Sequence, residues 1–162
     1  MADPTNTITV INKDTGATIG SYSTMTEVMA VTTAGGNFEW IFDGEITKGT
    51  GSGFKTTAAS ITISGKGKYT GDNFWFGNDG ASAATHVTVS EGTDVEFAAA
   101  GGINFRYDNV KTSSTMIVED GRFYLPSAQM PGNGLFTVKG YGTTAKTDAE
   151  GNTIYGFEMG DG

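Results

Sequence analysis

The apolar and polar residues of this chain repeat a short unit, in which apolar residues alternate with threonine or another polar residue and then meet a glycine. The unit occurs four times, at residues 61–65, 86–92, 116–121 and 136–140. Alternation with a period of two predicts β-strands, and the glycine that follows predicts a turn. Four apolar residues lie at the centres of the units, 26, 29 and 20 residues apart: Ile63, Val89, Val118 and Val138.

Further strands are predicted around these units. A second strand follows the glycine in three repeats, at residues 68–70, 94–97 and 122–125, and a third follows in two of them, at 74–76 and 103–107. Recurrence of one strand-and-turn unit at this spacing is typical of a solenoid, because each repeat buries its apolar face only against its neighbours. Three short strands per repeat with glycine-rich corners predict a parallel β-helix of about five coils, stacked ~4.8 Å apart.

The region before the repeats predicts a hairpin and one helix. Residues 7–11 and 17–22 alternate with a period of two, and the turn-forming sequence 12–16 joins them. Thr24-Met25-Thr26-Glu27 has the pattern of a capping box, and Gly35-Gly36 predicts the end of the helix. We expect Met25, Val28 and Met29 to pack into the core and the helix to cover the open end of the first coil. An aromatic strand, Phe38 to Phe42, should follow and end at Asp43-Gly44.

Composition narrows the class of protein. The 162 residues include 25 glycines, 17% charged residues and no cysteine, and the net charge is −8. A chain of this size forms one domain, without disulfides or thiolate metal sites. The negative charge and the lack of a Lys/Arg cluster argue against nucleic acid as a partner. We also expect no export signal and no membrane span, since no segment has the required apolar run; a mature or excised fragment would look the same.

One segment resembles a known group of proteins. The sequence Gly20-Ser21-Tyr22-Ser23-Thr24-Met25-Thr26-Glu27-Val28, followed by an aromatic strand ending Asp43-Gly44-Glu45-Ile46-Thr47, is similar to the start of right-handed parallel β-helix proteins of the pectin-lyase-like type. In those proteins a similar helix leads into a first coil. The resemblance covers most of residues 7–140 and implies the architecture more than any activity. It implies in particular the non-enzymatic virion or adhesin kind of β-helix.

The fold prediction is therefore an all-β protein, a short right-handed parallel β-helix with an N-terminal hairpin and one capping helix. The alternative is an antiparallel β-sandwich or jelly roll, which also uses short strands at this spacing. Residues 1–162 are predicted to form a single domain, with the hairpin and helix at 7–36, the coils at 37–140 and a C-terminal tail at 141–162. The strand-like piece 153–157 in that tail either pairs onto the last coil or reaches a neighbouring subunit.

Catalytic chemistry is hard to find in the sequence. Pectin-lyase-like enzymes use clusters of aspartate with arginine or lysine, whereas Arg106 and Arg122 are the only arginines and neither accompanies such a cluster. His86, the one histidine, has no recognisable partner that would orient it for catalysis. The adjacent acids Glu119-Asp120 should point in different directions from a turn. We therefore predict no enzyme activity, no catalytic residue and no cofactor.

Two weaker ligand hypotheses remain. Asp148, Glu150 and Asn152 place three oxygen side chains at alternate positions, as calcium loops do, but the rest of such a loop is missing and plain turn residues explain them better. No metal is therefore predicted. Trp75, within Phe74-Trp75-Phe76, together with Phe123 and Tyr124, is a possible surface contact for a glycan or another subunit. Core packing is the competing interpretation for these rings.

These observations favour a non-enzymatic structural protein of a phage-like particle, which decorates a capsid or forms a short spike. Its partners would be other virion or surface proteins, or itself, and no nucleic acid or membrane. The alternative is a secreted bacterial adhesin or carbohydrate-binding β-helix domain, located outside the cell or on its surface. A polysaccharide lyase or hydrolase ranks third, because the acid and base groups are missing. The first two hypotheses rest on fold analogy and on the absence of catalytic groups.

Overall fold

A computed structural model describes eleven segments of the chain, at residues 3–50, 54–71, 74–76, 85–98, 104–106, 115–119, 122–124, 127–129, 135–138, 146–147 and 153–154. Within them the protein is all-β with one helix. The strands are β1 (Thr7–Asn12), β2 (Thr18–Tyr22), β3 (Asn37–Thr47), β4 (Phe54–Thr56), β5 (Ser60–Thr70), β6 (Phe74–Phe76), β7 (His86–Val89), β8 (Asp94–Ala98), β9 (Asn104–Arg106), β10 (Thr115–Val118), β11 (Arg122–Tyr124), β12 (Ser127–Gln129), β13 (Leu135–Val138), β14 (Lys146–Thr147) and β15 (Thr153–Ile154).

The predicted hairpin is confirmed, since β1 and β2 pair antiparallel across the turn at residues 13–17. Their register shifts between Val10 and Ile11, so that Ile19 of β2 has no direct partner and forms a bulge. Bulges of this kind are common at sheet edges, which they make less suited to further pairing. Ile19 is 40% exposed and is the one large apolar side chain exposed among the described residues.

The helix α1 spans Met25–Val31 and begins with the predicted capping box. The Thr24 hydroxyl accepts from the Glu27 backbone N–H, and a Glu27 carboxylate oxygen accepts from the Thr24 N–H at 3.1 Å. Met25 and Val28 are fully buried, and Met29 packs against the same core.

The helix ends at Val31, four residues before the predicted Gly35. Thr32 has left the helical conformation, with ψ 81°. Its hydroxyl donates to the Val28 carbonyl at 2.8 Å and accepts from the Trp40 indole N–H at 3.2 Å. The bond with Trp40 joins the end of the helix to β3.

The strands form three sheets. The largest has nine strands, in the order β13-β10-β7-β5-β3-β1-β2, with β8 joined to the second half of β5 and β11 joined to β8. A four-stranded sheet has the order β12-β9-β6-β4, and β14 and β15 form an antiparallel pair. Among the described strands, the antiparallel pairs are β1–β2, β1–β3 and β14–β15. We call the parallel series β3, β5, β7, β10 and β13 the ladder.

The register of the ladder reproduces the repeat found in the sequence. Trp40 pairs with Ile63, Ile63 with Val89, Val89 with Val118, and Val118 with Val138. The predicted alignment of the four repeats is therefore confirmed. Trp40, Ile63 and Val89 are fully buried, as expected for the central row of a sheet that faces the core.

The glycines inside the first two members of the ladder do not end strands, contrary to the prediction. β3 continues through Gly44 and β5 through Gly65, and the two strands stay paired over eleven residues. Gly65 has φ +88°, and a Cβ there would overlap the backbone carbonyl oxygen of Phe42. The residue is a glycine because the backbones of β3 and β5 approach closely at a bend, and a side chain would separate them.

The third member of the ladder makes the bend with a turn, as the sequence predicts. β7 ends at Val89, the turn at residues 90–93 follows, and β8 resumes pairing with β5 at Lys66. The Ser90 N–H donates to the Ile63 carbonyl at 2.9 Å, and the buried Thr93 hydroxyl donates to the same oxygen at 3.3 Å.

The core lies between the ladder, the hairpin and the helix. Its largest fully buried side chains are Trp40, Tyr69, Phe38, Phe42, Ile8, Met25, Ile46 and Ile61. Phe54 of β4 belongs to the same cluster, so the second sheet also contributes to it. The strand β4 lies in the glycine- and threonine-rich stretch 48–60, where the sequence predicts no strand.

The predicted tail contains β14 and β15, which pair with each other. Neither of the two arrangements expected for residues 153–157 is seen in the described part, where Thr153 pairs with Thr147 and Ile154 with Lys146. Residues 155–157 lie outside the described residues. No helix in the described part of the chain is long and apolar enough to cross a bilayer.

Candidate functional site

The outer face of the ladder is a polar surface whose side chains bind one another across the strands. The Ser60 hydroxyl donates to Asn37 Oδ1 at 2.7 Å, and the Ser64 hydroxyl donates to Glu39 Oε1 at 2.9 Å. From the hairpin turn, Lys13 Nζ donates to the Thr62 hydroxyl at 2.8 Å. The first two bonds join β3 to β5, and the third joins the hairpin turn to β5, so side chains of the polar face supplement the backbone pairing.

Beyond the bend, two rows of charged residues run across the strands, and within each row the sign of the charge alternates from strand to strand. In the first row Asp43 pairs with Lys66, which pairs with Asp94. The Lys66 ammonium lies 3.7 Å from Asp94 Oδ2, and its side chain is 82% exposed. Alternation of sign between neighbouring strands favours this register, because like charges directly opposite each other destabilise a sheet.

The second row of charges is the better formed. Glu45 pairs with Lys68, Lys68 with Glu96, and Glu96 with Arg122. Lys68 Nζ lies 3.0 Å from Glu96 Oε1, and the two side chains are 43% and 21% exposed. Partial burial shields this ion pair from solvent more than the Lys66–Asp94 pair.

The Asp43 carboxylate is held by the N-terminal segment. Its Oδ2 atom accepts from the Thr5 backbone N–H at 3.0 Å and from the Thr5 hydroxyl at 2.7 Å. The Thr5 hydroxyl bond, followed by the Thr5 backbone bond, lowers the pKa of Asp43 below its usual range, because both bonds favour the charged form. Sequence analysis missed this contact, since Thr5 and Asp43 are 38 residues apart.

The three predicted contact residues lie in two different sheets. Trp75 is the central residue of β6 and holds a register row with Lys55 and Arg106. Phe123 and Tyr124 belong to β11, where they pair with Phe97 and Ala98 of β8. The side chains of all three lie outside the described residues, so their surface role stays a prediction.

The candidate groups for chemistry are spread apart. His86 begins β7 with an exposed side chain, and its register partners are Ser60 and Thr115. Glu119 accepts the Glu91 N–H at 3.3 Å with its carboxylate, a bond that joins two successive repeats. Within the described segments, no three His, Asp or Glu side chains gather into a possible metal site. Residues 148–152, whose spacing resembles that of a calcium loop, lie outside the described segments.

Comparison of the sequence and structure with protein-family models, with curated proteins and with solved structures gives no match.

Proposed function

We propose that this chain is a non-enzymatic structural protein of a phage-like particle, which decorates a capsid or forms a short spike. The observation that carries the proposal is the ladder. Its strands are parallel and in register, with an apolar row on the inner face, and polar side chains on the outer face form hydrogen bonds between strands. Such a body acts through its shape and stiffness. Its partners would be other particle proteins or further copies of itself.

We further propose that the chain is built as a short right-handed parallel β-helix. The two larger sheets support this architecture, because the order β3, β5, β7, β10 of the ladder is matched by the order β4, β6, β9, β12 of the second sheet. Each repeat thus contributes one strand to each sheet, as each coil of a β-helix does. Parallel pairing of these strands also counts against an antiparallel sandwich or jelly roll.

The N-terminal end of the stack supports the structural role in a different way. The β3 edge that faces away from the ladder is paired with β1 from Phe38 to Asp43, and Thr47 forms a bridge with Thr24. A long free edge would pair with other chains without limit. Pairing with β1 moves the outer edge of the sheet to β2, where the bulge at Ile19 disfavours further pairing; this suits a protein that assembles in a fixed number of copies.

The experiment that tests the proposal is quantitative mass spectrometry on purified particles from the source culture. Hundreds of copies per particle would identify a decoration protein, and a handful would identify a spike or fibre component. Absence of the chain from particles, together with its presence on cells or in the medium, would refute the virion role.

The second candidate is an adhesin or carbohydrate-binding domain, favoured by the position of Trp75. Its register row contains Lys55 and Arg106, whereas Phe74 shares a row with the buried Phe54. Aromatic rings beside polar groups suit stacking on sugar faces.

Trp75→Ala separates the two candidates, with Trp75→Phe as the matched control that retains a ring. The adhesin is supported if Trp75→Ala loses binding on a glycan array while its circular dichroism spectrum is unchanged. Trp75→Phe should then retain glycan binding. Loss of particle incorporation without any glycan effect would support the structural protein.

A further inference from the structure

The N-terminal segment, residues 4–6, lies across the bend of β3. Thr5 donates two hydrogen bonds to Asp43 Oδ2, and Asn6 Oδ1 accepts the backbone N–H of Glu45 at 3.0 Å. Asn6 adopts φ +54°, which a non-glycine residue rarely does. The amide side chain of Asn6 thus occupies the place that a neighbouring strand's carbonyl would take.

The fit of this segment against the backbone is close. A Cβ at Gly44 would lie 2.9 Å from Pro4 Cβ and 3.0 Å from the Asn6 nitrogen. Strand β1 pairs with β3 only as far as Asp43. Beyond that residue, segment 4–6 covers the β3 edge at Gly44 and Glu45.

We propose that the Asp43 carboxylate is an acid-sensitive latch, which holds residues 4–6 on β3 when ionised and releases them when protonated. Release uncovers the backbone edge of β3 at Gly44 and Glu45. The inference concerns the N-terminal end of the ladder and does not depend on the proposed particle role.

The chemistry of the two states gives the latch its direction. A carboxylate accepts hydrogen bonds about twice as strongly as a neutral group, so protonation weakens both bonds from Thr5. These bonds place the pKa of Asp43 below that of the unfolded chain. The latch is therefore fully closed above the ordinary aspartate range, about pH 4, and opens as the pH falls through the lower pKa of the folded state.

Other charged groups surround Asp43. On β5, its register partner is the cationic side chain of Lys66, which is also ion-paired with Asp94 of β8. On β3, the carboxylate of Glu45 lies two residues further along. The β1 partner, Thr7, is uncharged and shares a 2.7 Å hydroxyl contact with Thr5. Glu45 is therefore the neighbouring carboxylate whose contribution must be separated from that of Asp43.

Nuclear magnetic resonance on the intact chain tests the latch. At pH 6, Asp43→Asn imitates the protonated carboxyl; we expect lower heteronuclear NOE values at Thr5 and Asn6, and a shifted Glu45 amide, compared with the wild type. Acidifying the wild type should produce the same changes while the Trp40 indole signal stays in place. Thr5→Val should raise the pKa of the Asp43 carboxyl toward its usual range.

Glu45→Gln is the matched control, because it removes a neighbouring charge and leaves the backbone bond to Asn6 intact. This variant should keep the NOE values of the wild type at pH 6. The latch is refuted if Asp43→Asn leaves Thr5 and Asn6 as ordered as in the wild type, or if Glu45→Gln loosens them equally. An unchanged Asp43 titration in Thr5→Val would refute it as well.

Discussion

The bend of the ladder is built in two ways, in β3 and β5 on one side and between β7 and β8 on the other. In the first two strands the backbones remain paired through the bend, with Phe42 opposite Gly65. In the third member of the ladder, the chain leaves the sheet after β7, turns at residues 90–93 and rejoins the sheet as β8. The same change of direction therefore requires a glycine for two reasons. Gly65 is needed because a neighbouring strand is too close, whereas Gly92 is needed for its positive φ alone.

The largest expected effect separates these two reasons. Gly65→Ala should lower the free energy of unfolding by about 3 kcal/mol or more, because it combines an unfavourable φ with a clash against the Phe42 carbonyl. Gly92→Ala, also at positive φ (+78°) but with open space around its Cβ, should cost about 1 kcal/mol. Urea denaturation of both variants makes the comparison.

A third glycine completes this test. Gly67 has no unusual φ, but a Cβ there would overlap the Gly44 carbonyl oxygen. Gly67→Ala should therefore resemble Gly65→Ala more than Gly92→Ala. Equal losses for Gly65→Ala and Gly92→Ala would show that the backbones of β3 and β5 do not approach closely at the bend.

The turn can be weakened without changing a glycine. Thr93 is 1% exposed, and its hydroxyl donates to the Ile63 carbonyl, which also binds the Ser90 N–H. Thr93→Val should lower the free energy of unfolding by about 1 kcal/mol, since it replaces a buried donor by a methyl group. Thr88→Val, on the half-buried outer face of β7, is the control and should change stability by less than about 0.5 kcal/mol. Similar losses in thermal unfolding would contradict a role for the Thr93 bond.

The smallest effects concern the charges that follow the bend on β5. Lys68→Met should cost about 0.5 kcal/mol, because the 3.0 Å bond to Glu96 is partly shielded. Lys66→Met should be close to neutral, because its 3.7 Å pair with Asp94 is largely exposed. The difference should shrink when denaturation is repeated in about 1 M salt, where screening acts over ~3 Å. A larger loss of stability for Lys66→Met than for Lys68→Met would contradict the view that the Lys68–Glu96 pair contributes more than the Lys66–Asp94 pair.

The register of the ladder could be predicted from the sequence because it follows from the local alternation of residues in each repeat. Apolar residues alternate with polar ones, and the centres Ile63, Val89, Val118 and Val138 proved to be register partners. The capping box at Thr24 was predictable for the same reason, since its partners lie three residues apart.

The features that the sequence did not predict depend on distant neighbours. Gly65 and Gly92 follow similar apolar runs, yet one lies inside a strand and the other in a turn. The difference is the distance to the neighbouring backbone, which no local pattern contains. Phe54 was not assigned to a strand because β4 has only three residues, and its burial comes from the rest of the core. The contact between Thr5 and Asp43 was still harder to predict from the sequence, because the two residues come together only when β1 pairs with β3.

The order of pairing in the ladder has a consequence for biosynthesis. The hairpin and helix come first in the chain, and β5, β7, β10 and β13 each pair with a preceding member that lies 20 to 29 residues earlier. A chain that leaves the ribosome from its N-terminus therefore always has a finished edge on which the next strand can be laid down. We therefore expect folding during synthesis to proceed from the N-terminal hairpin toward β13.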